Sequence, residues 1–266
     1  MIDIGANLTH DSFDKDRDTV IAEAQAVGVS HFIITGSDLH CSAKAINLAQ
    51  QYPDCCFATA GIHPHHAADY SSSVLAELKQ LLCEDKVVAV GETGLDYFRD
   101  FSPRPQQMKS FEAHIELAVE TGLPMFLHQR DAHKDFLPVL KQHRDHISDV
   151  VVHCFTDSKV ALYDYLDLDC YIGITGWICD ERRGRHLIPL VHDIPLNRFL
   201  IETDSPYLMP RNLKPKPKSR RNEPKYLPHI AEFIGQQLNC DTQTFIQHTV
   251  TNSQRFFRLT DSTRRP

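Results

Sequence analysis

Apolar and polar positions follow one repeating order along this chain. A short run of β-branched or aromatic residues stops at a glycine or a polar residue. A loop follows, and then a longer stretch with apolar positions at helical spacing. The run at 87–90, Val-Val-Ala-Val, is the clearest case. It reads as a strand buried on both faces, as in parallel sheets, and it is expected to end at Gly91 and deliver a carboxylate, Glu92. Runs at 2–8, 31–35, 56–60, 125–127, 149–152, 170–174 and 199–201 have the same form. Helices are predicted between them at 12–27, 43–51, 74–83, 105–120, 132–143, 159–166 and 184–192, and two more at 226–238 and 242–257 close the chain. Eight β–α units in 266 residues predict a (β/α)8 TIM barrel forming a single domain over residues 1–266, ending in two C-terminal helices. An open, doubly wound sheet has the same alternation and stands as the alternative.

Composition changes this picture little: 42% hydrophobic and 24% charged residues are ordinary for a soluble globular chain. No apolar run reaches bilayer length, and Asp3 stands where a signal peptide would carry basic residues. A cytoplasmic monomer with no membrane partner is expected. The eight cysteines are scattered and form no Cys-x-x-Cys pair, so reduced thiols are expected rather than disulfides or a zinc ribbon. The net charge of −7 means that any anion binding must come from a local basic cluster.

The sixteen histidines carry the chemistry through their placement. In a barrel of this kind the chemistry sits at the C-terminal strand ends. Those ends carry Gly5 and Asn7 on the first strand, His63 and His65 after the third, Glu92 after the fourth, His128 after the fifth, His153 after the sixth and Asp204 after the eighth. A carboxylate leaving a buried strand needs a cation, a metal or water, because burying an isolated charge is too costly. Glu92, His128, His153 and Asp204 are oxygen and nitrogen donors suited to Mg2+, with Mn2+ or Zn2+ as alternatives, and Asp204 also suits the base that orients a water. Strand alternation predicts that Cys154, next to His153, points away from the barrel axis. A metal so held would polarise a phosphoryl oxygen and acidify a water.

Three features fit an anionic substrate. His63-Pro64-His65 sets two imidazoles on one rigid turn, for phosphate oxygens or simply exposed. Arg130, two residues past His128, would share its face and offer a fork to phosphate, or pair with Asp131 or Asp135. Residues 211–222 hold six cations (Arg211, Lys214, Lys216, Lys218, Arg220 and Arg221) and no acid. Prolines keep that loop extended, so it could track a nucleic-acid backbone or stay a solvated loop. Tyr97, Phe98, Phe155, Trp177 and Tyr207 are candidates for base stacking or for packing.

With these residues assembled, the chain resembles the TatD family of metal-dependent deoxyribonucleases from residue 1 to the last helix. The resemblance is carried by Gly61-Ile-His-Pro-His65, Gly91-Glu-Thr-Gly-Leu-Asp96, His128-Gln-Arg130, His153-Cys-Phe155, Tyr171-Ile-Gly-Ile-Thr-Gly-Trp177 and Glu202-Thr-Asp-Ser-Pro-Tyr-Leu208. It implies a (β/α)8-barrel hydrolase that uses Mg2+ or a similar ion. It implies removal of nucleotides from the 3′ end of single-stranded DNA, with RNA a further candidate substrate. Glu92, His128 and His153 are then ligands, and Asp204 is a ligand or the base. Gly5 and Asn7 stand where most relatives carry His-x-His, a departure expected of one branch of the family. It predicts one firmly held ion, with a second recruited alongside the substrate. Three other readings remain at this point. They are an amidohydrolase-like enzyme acting on small molecules (where a modified lysine commonly replaces Glu92), an aminoacyl-tRNA ester hydrolase, and a binding protein without catalysis.

Overall fold

A computed structural model describes residues 1–259 and settles the topology as a barrel. The strands are β1 (Ile2–Ala6), β2 (His31–Ile34), β3 (Cys56–Ala60), β4 (Val87–Asp96), β5 (Met125–Arg130), β6 (Val150–Val152), β7 (Tyr171–Ile174) and β8 (Phe199–Ile201). They pair in parallel, each with the next. Between them run α1 (Arg17–Ala26), α2 (Leu39–Gln51), α3 (Ser72–Leu81), α4 (Arg104–Thr121), α5 (His133–His143), α6 (Lys159–Asp167) and α7 (Leu187–Val191), followed by α8 (Leu227–Gln237) and α9 (Thr242–Phe256). The expected domain reached residue 266; residues 260–266 lie outside the described residues. No described helix is long and apolar enough to cross a membrane.

Local chemistry sets the helix ends. Asp38, Ser71, Ser158 and Asp241 each accept a backbone N–H at the start of α2, α3, α6 and α9, which satisfies donors that the first helical turn leaves unpaired. Two helices are shorter than predicted. The stretch 12–27 becomes a 3-10 turn (Asp11–Phe13) and α1, and of 184–192 only Leu187–Val191 is helical.

The larger difference is in β4, which does not stop at Gly91 but runs on to Asp96. Gly91 has φ +142°, and a side chain there would collide with the Phe126 carbonyl. The glycine thus lets the register with β5 shift between Val90 and Thr93, after which pairing resumes as far as Asp96 opposite Arg130. The extension carries Glu92 and Asp96 into the barrel mouth on a rigid strand.

One side chain from every strand fills the barrel: Ile4, Ile33, Phe57, Val88, Phe126, Val151, Tyr171 and Leu200 form a common buried cluster. Phe256 and Phe257, at the end of α9, join this cluster, with Phe256 edge-on to Tyr171 at 5.3 Å. A second, larger cluster lies between strands and helices.

The joint between β8 and β1 is made differently from the others. Ala6 bridges Ser205, Asn7 donates to the Ser205 carbonyl and Asp204 to the Gly5 carbonyl, each over 2.8 Å. Beneath them the buried Asp3 carboxyl accepts the Thr203 N–H (2.9 Å) and bonds the Thr203 hydroxyl (2.5 Å). Burial pushes the Asp3 pKa from 3.8 up to about 7, outweighing these hydrogen bonds. A raised carboxyl pKa means that the folded state binds the extra proton. The stabilisation is therefore complete below pH 3.8 and is lost as pH rises through 7. Asp3→Asn cannot ionise, so its melting temperature should gain on wild type by the equivalent of roughly 3 kcal/mol between pH 5 and pH 8. A wild-type-minus-variant difference that is flat across that range would remove Asp3 as the titrating group.

Candidate metal centre

Period-2 alternation carries each strand's inward face upward from the barrel core into the site. On β5 the sequence is Phe126, His128, Arg130; past β6 it is Val151, His153; past β8 it is Leu200, Glu202, Asp204. His63 and His65 sit on the turn after β3. The Ile62 N–H in this turn is held by the buried His114 Nε2 at 3.0 Å, while His114 Nδ1 donates to the Ser110 carbonyl at 2.7 Å.

Three imidazoles converge on one oxygen. Glu92 Oε1 lies 3.2 Å from His63 Nε2, 3.0 Å from His128 Nδ1 and 2.7 Å from His153 Nε2. Two of these rings are backed by further carboxylates: His128 Nε2 is 3.1 Å from Asp96 Oδ2, and His153 Nδ1 is 3.3 Å from Glu202 Oε2. A ring that donates its N–H to the carboxylate behind it turns a lone pair toward Glu92. Two lone pairs facing a carboxylate oxygen need a cation between them, either protons or a metal ion. His63 differs, because its Nδ1 accepts the His65 N–H at 3.1 Å and its proton therefore sits on Nε2, facing Glu92.

The electrostatics agree with a centre that demands cations. Burial works against charge on Glu92, yet His63 and His153 beside it and bonds from His128 and His153 hold its carboxyl well below the usual range. Burial likewise opposes protons on His128 and His153, but Asp96 and Glu92 raise the first and Glu92 and Glu202 raise the second far above its ordinary value. His63, where burial dominates, is pushed down to about 4. Oxygen and imidazole donors whose lone pairs are aimed by carboxylates behind them fit a divalent ion. Ligand atoms of His63, Glu92 and His128 all lie within 4.8 Å of one another. Neutral tautomer chemistry favours His153 over His63 as the third donor.

Asp204 stands to one side. Its Oδ1 accepts from Asn7 Nδ2 at 2.9 Å, and burial, with the negative Glu92 and Glu202 adding to it, pushes its pKa up to about 7. His65 reaches away from the centre, to Asp96 Oδ2 at 2.8 Å, and its ring packs against the exposed Phe101. Arg130 pairs with neither Asp131 nor Asp135. Its guanidinium lies 3.9 Å from the Phe98 ring centroid and 5.7 Å from that of Trp177.

Three sequence expectations change. Cys154 does not simply alternate outward: β6 ends at Val152, Cys154 turns with φ +47°, and its N–H donates to Glu202 Oε1 at 2.6 Å. Burial, joined by the charges of Asp204, Glu202 and Glu92, keeps it a protonated thiol, unsuited to ligation. Arg221 leaves the basic strip. It bonds Asp16 at 2.7 and 2.9 Å and Glu223 at 2.9 Å and lies over Phe13, because α1 and the end of the loop meet there. Arg211 is turned toward Asp180 and Glu181, which leaves Lys214, Lys216, Lys218 and Arg220 exposed. Of the aromatics, Phe155 is buried packing, whereas Phe98 and Tyr207 are exposed at the mouth.

Two site residues escaped the sequence reading. Asp96 is buried between His65 and His128; ending β4 at Gly91 hid the same-face series Glu92, Gly94, Asp96. Glu202 is fully buried, two residues past the core residue Leu200, and that spacing was its signal. Its carboxylate fills the space that side chains at Gly5 and Gly173 would need. Gly5 is therefore more than a missing histidine: Glu202 occupies its place.

The barrel and this carboxylate–histidine centre define a class, the TIM-barrel hydrolases with a site built for a divalent cation. Within it, the chain belongs to the TatD related DNase family, whose model matches residues 2–258. It is 49% identical over 259 residues to the 3′-5′ ssDNA/RNA exonuclease TatD of Edwardsiella piscicida, covering 97% of this chain and 100% of that protein. A TatD family hydrolase from Entamoeba histolytica superposes with TM-score 0.88 at 30% identity, over 96% of this chain and 97% of that one. A TatD homologue from Escherichia coli K12 gives TM-score 0.88 at 26% identity, over 97% and 98%.

Proposed function

We propose that the chain is a Mg2+-dependent, cytoplasmic 3′→5′ exonuclease of single-stranded DNA that also accepts RNA. The observation that carries this reading is the convergence of His128 and His153 on Glu92 Oε1, each backed by its own carboxylate. Glu92, His128 and His153 would hold the ion, with Asp204 at the edge of the set. A divalent ion there supplies Lewis-acid polarisation of a phosphoryl oxygen and acidifies a water.

The chain's own groups do the rest. Asp204, with Oδ1 fixed by Asn7, uses Oδ2 to orient the attacking water and take its proton. The Arg130 fork contacts the phosphate, and the His63 and His65 imidazoles would reach it by giving up their bonds to Glu92 and Asp96. Asp96 and Glu202 hold His128 and His153 in one tautomer.

End-labelled single-stranded DNA incubated with Mg2+ should shorten stepwise from its 3′ end, and EDTA should stop it. Hydrolysis only of small lactones or amides, with the oligonucleotide intact, would refute the reading.

The basic strip tracks the backbone in this reading. Neutralising Lys214, Lys216, Lys218 and Arg220 together should lower the salt slope of DNA binding by about 3. Arg221→Ala should instead leave the slope unchanged and cost about 1 kcal/mol in a thermal melt. Equal effects from the two variants would return Arg221 to the strip.

A further inference from the structure

Among the described residues, three of the four exposed aromatic side chains gather at one end of the barrel; the fourth, Tyr163, is on α6. Phe98 (54% exposed), Phe101 (65%) and Tyr207 (52%) all stand on loops after β4 and β8, at the end of the barrel that carries the candidate centre. Beside Phe98 a cleft of about 150 Å³ opens, lined by Phe98, Gln129, Arg130, Asp131, Asp157 and Trp177 among others. Register places it next to the metal centre. Arg130 is opposite Asp96, which bonds His128, and Arg130 lies two residues beyond His128 on the same strand face.

The walls of this cleft are fixed. Gln129 Nε2 donates to Asp157 Oδ2 at 3.1 Å, Trp177 Nε1 donates to the Arg183 carbonyl at 3.3 Å, and the Arg183 guanidinium lies 4.2 Å from the Trp177 ring centroid. As Arg183 rests on Trp177, so the Arg130 guanidinium, a flat group, rests on the Phe98 face. Among the described residues no carboxylate pairs with it, so its charge is available. Asp131 and Asp157 on the same wall repel phosphate. With two acids on its wall and the Arg130 charge at Phe98, the cleft suits a flat base inside it with the phosphate held outside by Arg130.

We propose that this cleft is a base-stacking subsite for the strand being degraded. A nucleobase takes the seat on Phe98 and faces Trp177, while Arg130 swings from Phe98 to the adjoining phosphate. Stacking of this kind requires an unpaired base and tolerates any sequence, so the subsite selects single strands rather than a base identity. The proposal rests on the nuclease reading of the centre.

Trp177 is the only tryptophan of the chain, so its fluorescence reports on the cleft directly. The full chain in EDTA, which binds without cleaving, is titrated with a thymidine hexanucleotide and with an abasic hexamer of the same charge. The thymidine oligomer should quench Trp177 and bind about tenfold more tightly than the abasic one. Phe98→Ala, at an exposed position, should erase that difference without changing abasic affinity, and Phe98→Tyr should restore it. Equal affinity of the two oligomers, binding of neither, or a difference that survives Phe98→Ala overturns the proposal. Discrimination in EDTA combined with no hydrolysis on adding any divalent ion upholds the cleft and refutes the nuclease reading instead.

Discussion

Glu92→Gln should lower the rate of 3′ shortening in Mg2+ by about 10³-fold, while the melting temperature stays within a few degrees of wild type. The substitution keeps shape and volume but removes the charge on which three imidazoles converge. Several kcal/mol of stabilisation depend on an ion held there, and each 1.36 kcal/mol is a tenfold change in rate. The fold survives because each ring keeps a carboxylate partner. Without the Glu92 carboxylate His128 and His153 each lose one of the charges that raise their pKa values, while Asp96 and Glu202 still pair with them. Rate measured against Mg2+ concentration checks this, since a lost ligand raises the concentration needed before it lowers the plateau. A variant at near wild-type rate would move the centre elsewhere.

The second large effect concerns a residue with no side chain. Gly5→Ala places a methyl group where the Glu202 carboxylate lies. Glu202 Oε2 must then leave His153 Nδ1, and His153 loses the group that fixes its tautomer. Losing a carboxylate behind a metal-binding histidine typically costs 10–100-fold in affinity or activity, and a loss of that order in ion affinity and turnover is expected here. The double change Gly5→His, Asn7→His restores the pattern of the relatives on paper. It should nonetheless lose activity in the same range, because Glu202 fills the space and Asp204 loses Asn7. If calorimetry found two tightly bound ions in that variant with activity retained, Glu202 would be mobile and this account wrong.

Much of this was legible in the sequence, for identifiable reasons. The eight strand–helix units followed from alternation, because buried parallel strands each need an uninterrupted apolar run. Alternation alone left an open sheet standing as the alternative, and the β8–β1 joint closes the ring. Glu92, His128 and His153 were legible because charge at the end of such a run is conspicuous. Asp96 was not, since a glycine normally punctuates a strand, and at Gly91 it permits a register shift that lets the strand go on. Glu202 hid behind Asp204, two residues later on the same face and less deeply buried in sequence terms. Arg221 looked like its neighbours because a run of cations does not reveal which of them meets an acid 205 residues away. Its partner Asp16 belongs to another loop, and only tertiary packing joins them.

The joint between β8 and β1 has a consequence for when the enzyme exists. Asp204 and Glu202 reach the centre only after the eighth strand has docked on the first, a contact between residues about 200 positions apart. Contacts of such separation form late, because the chain must first be closed into a loop. A nascent or truncated chain lacking β8 lacks both acids and the Asn7–Asp204 bond. In the mechanism proposed above, Asp204 joins the other groups only when the ring is complete, so a chain ending before β8 should shorten no oligonucleotide.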